Sequence, residues 1–343
     1  MKLEDRIVLF SELGNHILTH IASDEMEDLF AAAKSRNPWF TVDNIRLAFT
    51  QVAARFLNAE KLNSLVSRYN RSFFEPEHPQ KVGIVAAGNI PLVGVQDLVH
   101  TMLSGHTACY KPSAQDEVLT LFLIRKMTEI NPAIAEYVVP SDKLTGLDAY
   151  IATGSGNTSR YFEYYFGQKP HIIRKNRVSV AVLHGAETRT QLSDLGNDIF
   201  EYFGLGCRNV SKLYVPAGYD FRDFFESVEY WNGITLHSKY VNNYDYNKSI
   251  FLVNGDRHLD NGFLLLKESP ALHSPISTVF YEEYTTADQV FEDLHRQKEQ
   301  IQCIVTEMRE DGVPFGQSQA PELWDYADGV DTIAFLAGIG VEN

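Results

Sequence analysis

VGIVAAGNIPLVGVQDLVHTMLSGHTACYKPS, residues Val82–Ser113, decides the fold. VGIVAA is a short, β-branched apolar run, as expected of a strand covered on both faces. GNIP is turn chemistry. LVGVQDLVHTMLSG spaces its apolar residues at helical intervals and stops on Gly105, and HTACYKPS reads as a strand again. Strand, helix and strand in that order make a parallel βαβ unit. The alternation continues outward through the helix DEVLTLFLIRKMTEI, the strands AEYVVP and DAYIATG, the helix NTSRYFEYYFG and the strands HIIR and VSVAVL. A helix near Arg189–Gly204 and the strand KLYVP follow. Then come FLLLK, STVFYEEY, the helix TADQVFEDLHRQKEQ and the strand QCIV. Residues 1 to about 75 are mostly helical by apolar spacing. The expectation is an α/β protein in two domains. The break between them is expected near Leu183, where the first run of βαβ units ends.

The bulk composition narrows the function. The chain has 343 residues, 44% hydrophobic and 22% charged, which is ordinary for a globular protein and long enough for two cores. A net charge of -15 argues against a nucleic-acid surface, which needs a basic face. Cys109, Cys207 and Cys303 lie far apart and match neither a disulfide framework nor a metal spacing, and the histidines form no HxxxH or HExxH pattern. A catalytic metal is therefore not expected, and a reducing cytoplasm is. The opening MKLEDRIVLF has no uninterrupted apolar core and does not read as a signal peptide, and no apolar run reaches the roughly 20 residues of a membrane span.

Four segments carry candidate chemistry, each with a plain structural alternative. In IATGSGNTS a strand meets Gly154 and Gly156 and then a helix N-terminus, the geometry that lets backbone N–H groups approach a phosphate, or simply a strand-to-helix turn. The motif is not a complete GxGxxG, and no GK[ST] follows. Asn89 stands just beyond a buried strand, where ligands collect in open parallel sheets; its amide suits an oxyanion as well as it suits a turn. Lys111 ends the next strand and fits a ribose hydroxyl or phosphate, or plain solvent. In FEYFGLGCRNVSKLYVP, Phe200–Pro216, Cys207 follows Gly204-Leu205-Gly206. A free cysteine is usually a small core residue. Two glycines in three residues suit a sharp turn presenting a thiol, with Arg208 beside it to favour the thiolate.

In this order the motifs resemble the aldehyde dehydrogenase superfamily from about Val82 to the C-terminus. VGIVAAGNIPLVG is similar to its oxyanion-asparagine turn, SGHTACYKPSAQD to its cofactor-ribose lysine segment, IATGSGNTS to its nucleotide-proximal turn and FGLGC to its nucleophile loop. KESPALHSP is a more distant likeness of the segment whose glutamate touches the nicotinamide ribose. GLGC followed by YVP, with the ending ELWDYADGVDTIAFL, most resembles the acyl-CoA reductases of the LuxC type. The resemblance implies a Rossmann-like parallel-sheet cofactor domain over 1–183 with its helical N-terminal region, a smaller α/β catalytic domain over 184–320, and a tail, 321–343, returning to the first domain. It implies Cys207 as nucleophile and Asn89 as oxyanion donor. It implies Lys111, Thr153, Gly154, Ser155 and, more weakly, Glu268 as cofactor contacts.

Aldehyde-oxidising members of that superfamily carry a water-activating glutamate in a Glu-Leu-Gly-Gly segment upstream of the nucleophile. The matching stretch here, HIIRKNRVS, holds Ile173, Arg174 and Lys175 instead. An acyl-enzyme without that base hydrolyses slowly, which favours CoA-linked chemistry. The implied reaction is reduction of an acyl-CoA, of the fatty acyl class, to an aldehyde. NADPH is the expected cofactor with NADH the other candidate, and CoA is the leaving group. Three other readings stand: NAD-dependent oxidation of an aldehyde to the acid, a non-catalytic acyl- or nucleotide-binding scaffold, and acyl transfer through Cys207 to or from a protein partner. A homo-oligomer is a further expectation, and no nucleic-acid partner is expected.

Overall fold

A computed structural model describes residues 1–154 and 156–340, and Ser155 and residues 341–343 lie outside the described residues. The chain divides into two compact units, Met1–Asn176 with the chain from Pro321, and Arg177–Ala320.

The first unit opens with helices α1 (Leu3–His20), α2 (Asp24–Arg36), α3 (Val42–Gln51) and α4 (Ala59–Val66). Leu9, Phe10, Leu13 and Ile17 are buried because their spacing puts them on one stripe of α1. Ser23, Thr41 and Asn58 cap α2, α3 and α4 by accepting backbone N–H bonds from Met26, Asn44 and Glu60, each cap stabilising its helix by about 1 kcal/mol. The βαβ region follows: β1 (Lys81–Val85), α5 (Val95–Leu103), β2 (Thr107–Lys111), α6 (Glu117–Ile130), β3 (Val138–Pro140), β4 (Ala149–Thr153), α7 (Gly156–Phe166) and β5 (His171–Arg174). The sheet order is β3-β2-β1-β4-β5, with every pairing parallel. Connections build away from β1 on one side and then on the other. The carboxyl ends of β1 and β4 therefore flank a topological switch point, where such sheets bind ligands.

The second unit holds β6 (Val178–Val182), α8 (Arg189–Phe200), β7 (Val210–Pro216), α9 (Arg222–Val228), α10 (Ser238–Asn254), β8 (Leu259–Asp260), β9 (Leu265–Glu268), β10 (Thr278–Tyr284), α11 (Ala287–Arg296) and β11 (Ile301–Val305). Its sheet runs β11-β6-β7-β10-β9-β8, parallel except for the β8–β9 pair. Val178, Val180, Val182, Val290, Leu294 and Ile301 form one core cluster of this unit, each side chain stabilising by roughly 1.5–3 kcal/mol when fully covered.

The first break falls at Asn176/Arg177 rather than near Leu183. VSVAV continues the apolar run of HIIR in sequence, but β6 pairs with β7 and β11 whereas β5 pairs with β4, so hydrogen bonding separates what composition joins. The chain from Pro321, ending in α12 (Thr332–Ala337), belongs to the first unit. Glu322 bonds Arg55 and Lys61 at 2.7 Å each, and the Arg68 guanidinium lies 4.0 Å above the Trp324 ring centroid. His100 Nε2 lies 2.9 Å from the Leu323 carbonyl, and burial pushes its imidazole down to about 4. Among the described residues no helix is long and apolar enough to cross a membrane.

Candidate active site

In the first unit, four of the expected residues lie at the carboxyl ends of three adjacent strands. Lys111 ends β2, Asn89 follows β1, Thr153 ends β4 and Gly154 follows it. The register pairs Val85 with Lys111 and with the level of Ala152 through β1. Asn89 and Lys111 are exposed, and Thr153 and Gly154 half-buried; among the described residues Lys111 makes no ion pair. The turn carrying Asn89 is tied down on both sides. Ala86 N–H donates to the Lys111 carbonyl at 3.1 Å. The buried Asp116 carboxylate accepts the Leu92 N–H at 3.0 Å, and Leu92 adopts a left-handed φ of 60°. Gly88 is required by close approach, since a Cβ there would lie 2.2 Å from Ser113 Oγ. Such a row of polar groups along a switch point fits the polar parts of a dinucleotide. Ser155 lies outside the described residues.

Arg174, one of the three residues named in HIIRKNRVS, does structural work. It is 5% exposed and grips Asp97, with Nη2 2.8 Å from Oδ1 and 3.2 Å from Thr332 Oγ1.

In the second unit, Cys207 sits on the turn between α8 and β7, half-buried and not disulfide-bonded. The helix that delivers the chain to it is started by a capping box: Gln191 N–H donates to Thr188 Oγ1 at 3.2 Å, and Thr188 N–H donates to Gln191 Oε1 at 2.8 Å. Beyond its last turn, Tyr202, Phe203 and Gly204 take left-handed φ values of 52°, 60° and 75° in succession. Two non-glycine residues in that region cost about 1–3 kcal/mol each, a strain that persists only where packing over-determines it. Both rings are buried, and Phe203 stacks on His237 at 4.2 Å.

Asn209 is the clamp, and sequence reasoning missed it. Only 3% exposed, it accepts Gly206 N–H on Oδ1 at 2.8 Å. Its amide nitrogen faces the carbonyls of Asp198, Ile199 and Glu201 at 3.1, 3.4 and 2.9 Å. One side chain thus joins the end of α8 to the turn bearing Cys207. Ser179 adds a bond to the Cys207 carbonyl at 3.0 Å. The signals were in view: Asn209 lies two residues beyond the cysteine, and Ser179 is the one polar residue of VSVAV.

Two carboxyls at the end of α8 were missed as well. Asp198 accepts Gly316 N–H at 2.7 Å and Ser318 N–H at 2.9 Å, and burial pushes it up to about 6 against those bonds. Burial, with Asp198 nearby, pushes Glu201 up to about 7. A carboxyl poised there exchanges protons near neutral pH. Their spacing, i and i+3 at a helix end, is the signal by which the sequence could have flagged them. Glu268 is exposed at the end of β9. The register sets it level with Tyr281 and Leu213, whereas Cys207 precedes β7 altogether. The segment after Glu268 is held by β7: the buried Lys212 Nζ donates to the Pro270 carbonyl at 3.0 Å and meets Glu282 at 2.6 Å, and Ser211 Oγ donates to the Leu272 carbonyl at 2.7 Å.

Residues 61–228 match the family described as acyl-CoA reductase (LuxC), a span running from α4 through the first sheet and the Cys207 turn to α9. No curated protein sequence matches the chain. Among solved structures, an aldehyde dehydrogenase of Mycobacterium tuberculosis complexed with NAD+ superposes with a TM-score of 0.65 at 14% identity, over 93% of this chain and 76% of its own. An NADP-dependent enzyme of E. coli gives 0.65 at 15% identity, over 94% and 76%. An NAD-dependent aldehyde dehydrogenase of Sinorhizobium meliloti gives 0.65 at 13%, over 89% and 70%. The fold of this chain is that of the aldehyde dehydrogenases.

Proposed function

With the acyl-CoA reductase family matched over residues 61–228 and the aldehyde dehydrogenase fold over the chain, we propose an NAD(P)-dependent oxidoreductase that reduces a fatty acyl-CoA to the aldehyde, with Cys207 as its nucleophile. The observation that carries this reading is the turn itself. Its backbone is held in three consecutive left-handed residues and clamped by Asn209, and it leaves the Cys207 thiol half-buried and outside any disulfide. A structural core cysteine needs no such turn.

In the proposed reaction the Cys207 thiolate attacks the thioester carbonyl, forming a carbon–sulfur bond to the enzyme. The carbonyl electrons move to oxygen and return as the bond to CoA breaks, and CoA leaves as its thiolate. The Asn89 amide is the proposed donor to that oxyanion, a role worth roughly 3–4 kcal/mol. A nicotinamide, when bound, supplies the hydride that turns the acyl-enzyme into a thiohemiacetal. The alkoxide of that thiohemiacetal re-forms the carbonyl as its bond to Cys207 breaks, so the Cys207 thiolate leaves and the aldehyde is released. Lys111, Thr153 and Gly154 would hold the cofactor's ribose and phosphates, and Glu268 its nicotinamide ribose. Arg174, committed to Asp97, offers no base for water, which supports survival of the acyl-enzyme until hydride transfer. NADPH is the proposed donor, to be compared with NADH.

The test mixes the protein with NADPH, then NADH, and a long-chain acyl-CoA. Nicotinamide absorbance and aldehyde are followed beside Cys207→Ala. Cofactor oxidation with aldehyde formed, lost in the variant, is expected. Equal rates in both proteins, or acid released from aldehyde without CoA, would overturn the reading.

A further inference from the structure

Ser179 is wholly buried in β6 and stands where the ladders to both neighbouring strands slip register, after Ser179 against β7 and between Ile301 and Ile304 against β11. Such bulges re-aim side chains. Three contacts meet on its hydroxyl. It donates to the Cys207 carbonyl at 3.0 Å, accepts the Cys303 backbone N–H at 3.2 Å, and lies 3.0 Å from Cys303 Sγ.

A serine hydroxyl has one proton and two lone pairs. The proton is used on the Cys207 carbonyl, so in the sulfur contact Cys303 must donate. Burial pushes the Cys303 thiol up, which keeps that proton in place at neutral pH. A chain of hydrogen bonds therefore runs from the Cys303 S–H through the Ser179 O–H to the carbonyl of Cys207. That carbonyl belongs to the peptide joining Cys207 to Arg208, and holding it sets the backbone torsion at Cys207 from which the thiol projects. Asn209 holds the Gly206 N–H on the other side. The two side chains thus grip the turn before and after its cysteine.

Resting on the reading of Cys207 as nucleophile, we propose that Ser179 is a positioning residue for the reaction, with the Cys303 thiol donating a hydrogen bond to its hydroxyl. A nucleophile moved by about 1 Å loses on the order of 10²-fold in rate.

The experiment measures steady-state acyl-CoA reduction by the full chain, with thermal melting and per-cysteine alkylation followed by mass spectrometry. Ser179→Ala is expected to lower kcat by roughly 10- to 100-fold, leave KM within about twofold, and speed alkylation of Cys303, which has lost its acceptor. Ser179→Thr, which keeps the hydroxyl, recovers most of kcat. Cys303→Ser, which keeps a donor, loses less kcat than Cys303→Ala. A Ser179→Ala protein with wild-type kcat, while Cys207→Ala is inactive, would overturn the positioning role alone. Should Ser179→Ala not fold, the Cys303 pair decides: equal kcat in Cys303→Ala, Cys303→Ser and wild type sinks the proposal. Full activity in Cys207→Ala would remove the nucleophile and this proposal with it.

Discussion

Removing the Asn209 amide measures how strongly the Cys207 turn is held. In Asn209→Ala the Gly206 N–H loses its acceptor, and the carbonyls of Asp198, Ile199 and Glu201 lose a shared donor. The amide has two protons for three carbonyls, so the loss is about three net hydrogen bonds. At about 1 kcal/mol each, the second unit is destabilised by about 3 kcal/mol. Relaxation of the strained left-handed Tyr202 and Phe203, which lose a restraint, offsets part of this. Asn209→Asp is expected to be at least as damaging, because its second oxygen would face three carbonyls in a site 3% exposed. Urea unfolding followed by Trp231 fluorescence reads the effect, since that ring packs on Phe200 at the end of α8 with centroids 5.5 Å apart. The rate of Cys207 alkylation, measured alongside, reports the turn itself. A stability loss below about 0.5 kcal/mol with an unchanged alkylation rate would refute the clamp.

Glu201 and Gly88 supply two further tests. Glu201 titrates at about 7 in the folded chain against 4.5, so folding favours its protonated form. Its contribution is present below about pH 4.5 and is lost as pH rises through about 7. The loss amounts to roughly 3 kcal/mol. Asp198, raised to about 6, acts in the same direction. Glu201→Gln should therefore flatten the fall in stability between pH 5 and pH 8 in parallel urea titrations, and an unchanged slope would count against burial as the cause. Gly88→Ala places a Cβ 2.2 Å from Ser113 Oγ and is expected to destabilise by about 1–3 kcal/mol. Ser113→Gly in the same chain should recover part of the lost melting temperature, and no recovery would show that the clash lies elsewhere.

Much was legible in the sequence because burial leaves a one-dimensional trace. A parallel strand covered on both faces must be apolar throughout, so VGIVAA announced β1. Glycines announce turns, so Cys207 stood out through Gly204 and Gly206, and Gly204 does take a φ of 75°. The shape of the turn was less legible. The helix expected to run to Gly204 ends at Phe200, and two aromatic residues, not glycines, adopt the left-handed conformation. Their side chains give no local sign of it, because buried packing and the Asn209 amide impose it from outside. Sequence order and spacing by themselves determined the α/β class, the strand ends carrying Asn89, Lys111 and Thr153, and the cysteine to suspect. Tertiary structure alone decided that VSVAV joins the second sheet and that Arg174 is occupied by Asp97. It also joined Ser179 to Cys303 across 124 residues of chain. Hydrogen-bond partners are chosen by proximity in space, and nothing local in either segment records which distant strand will lie beside it.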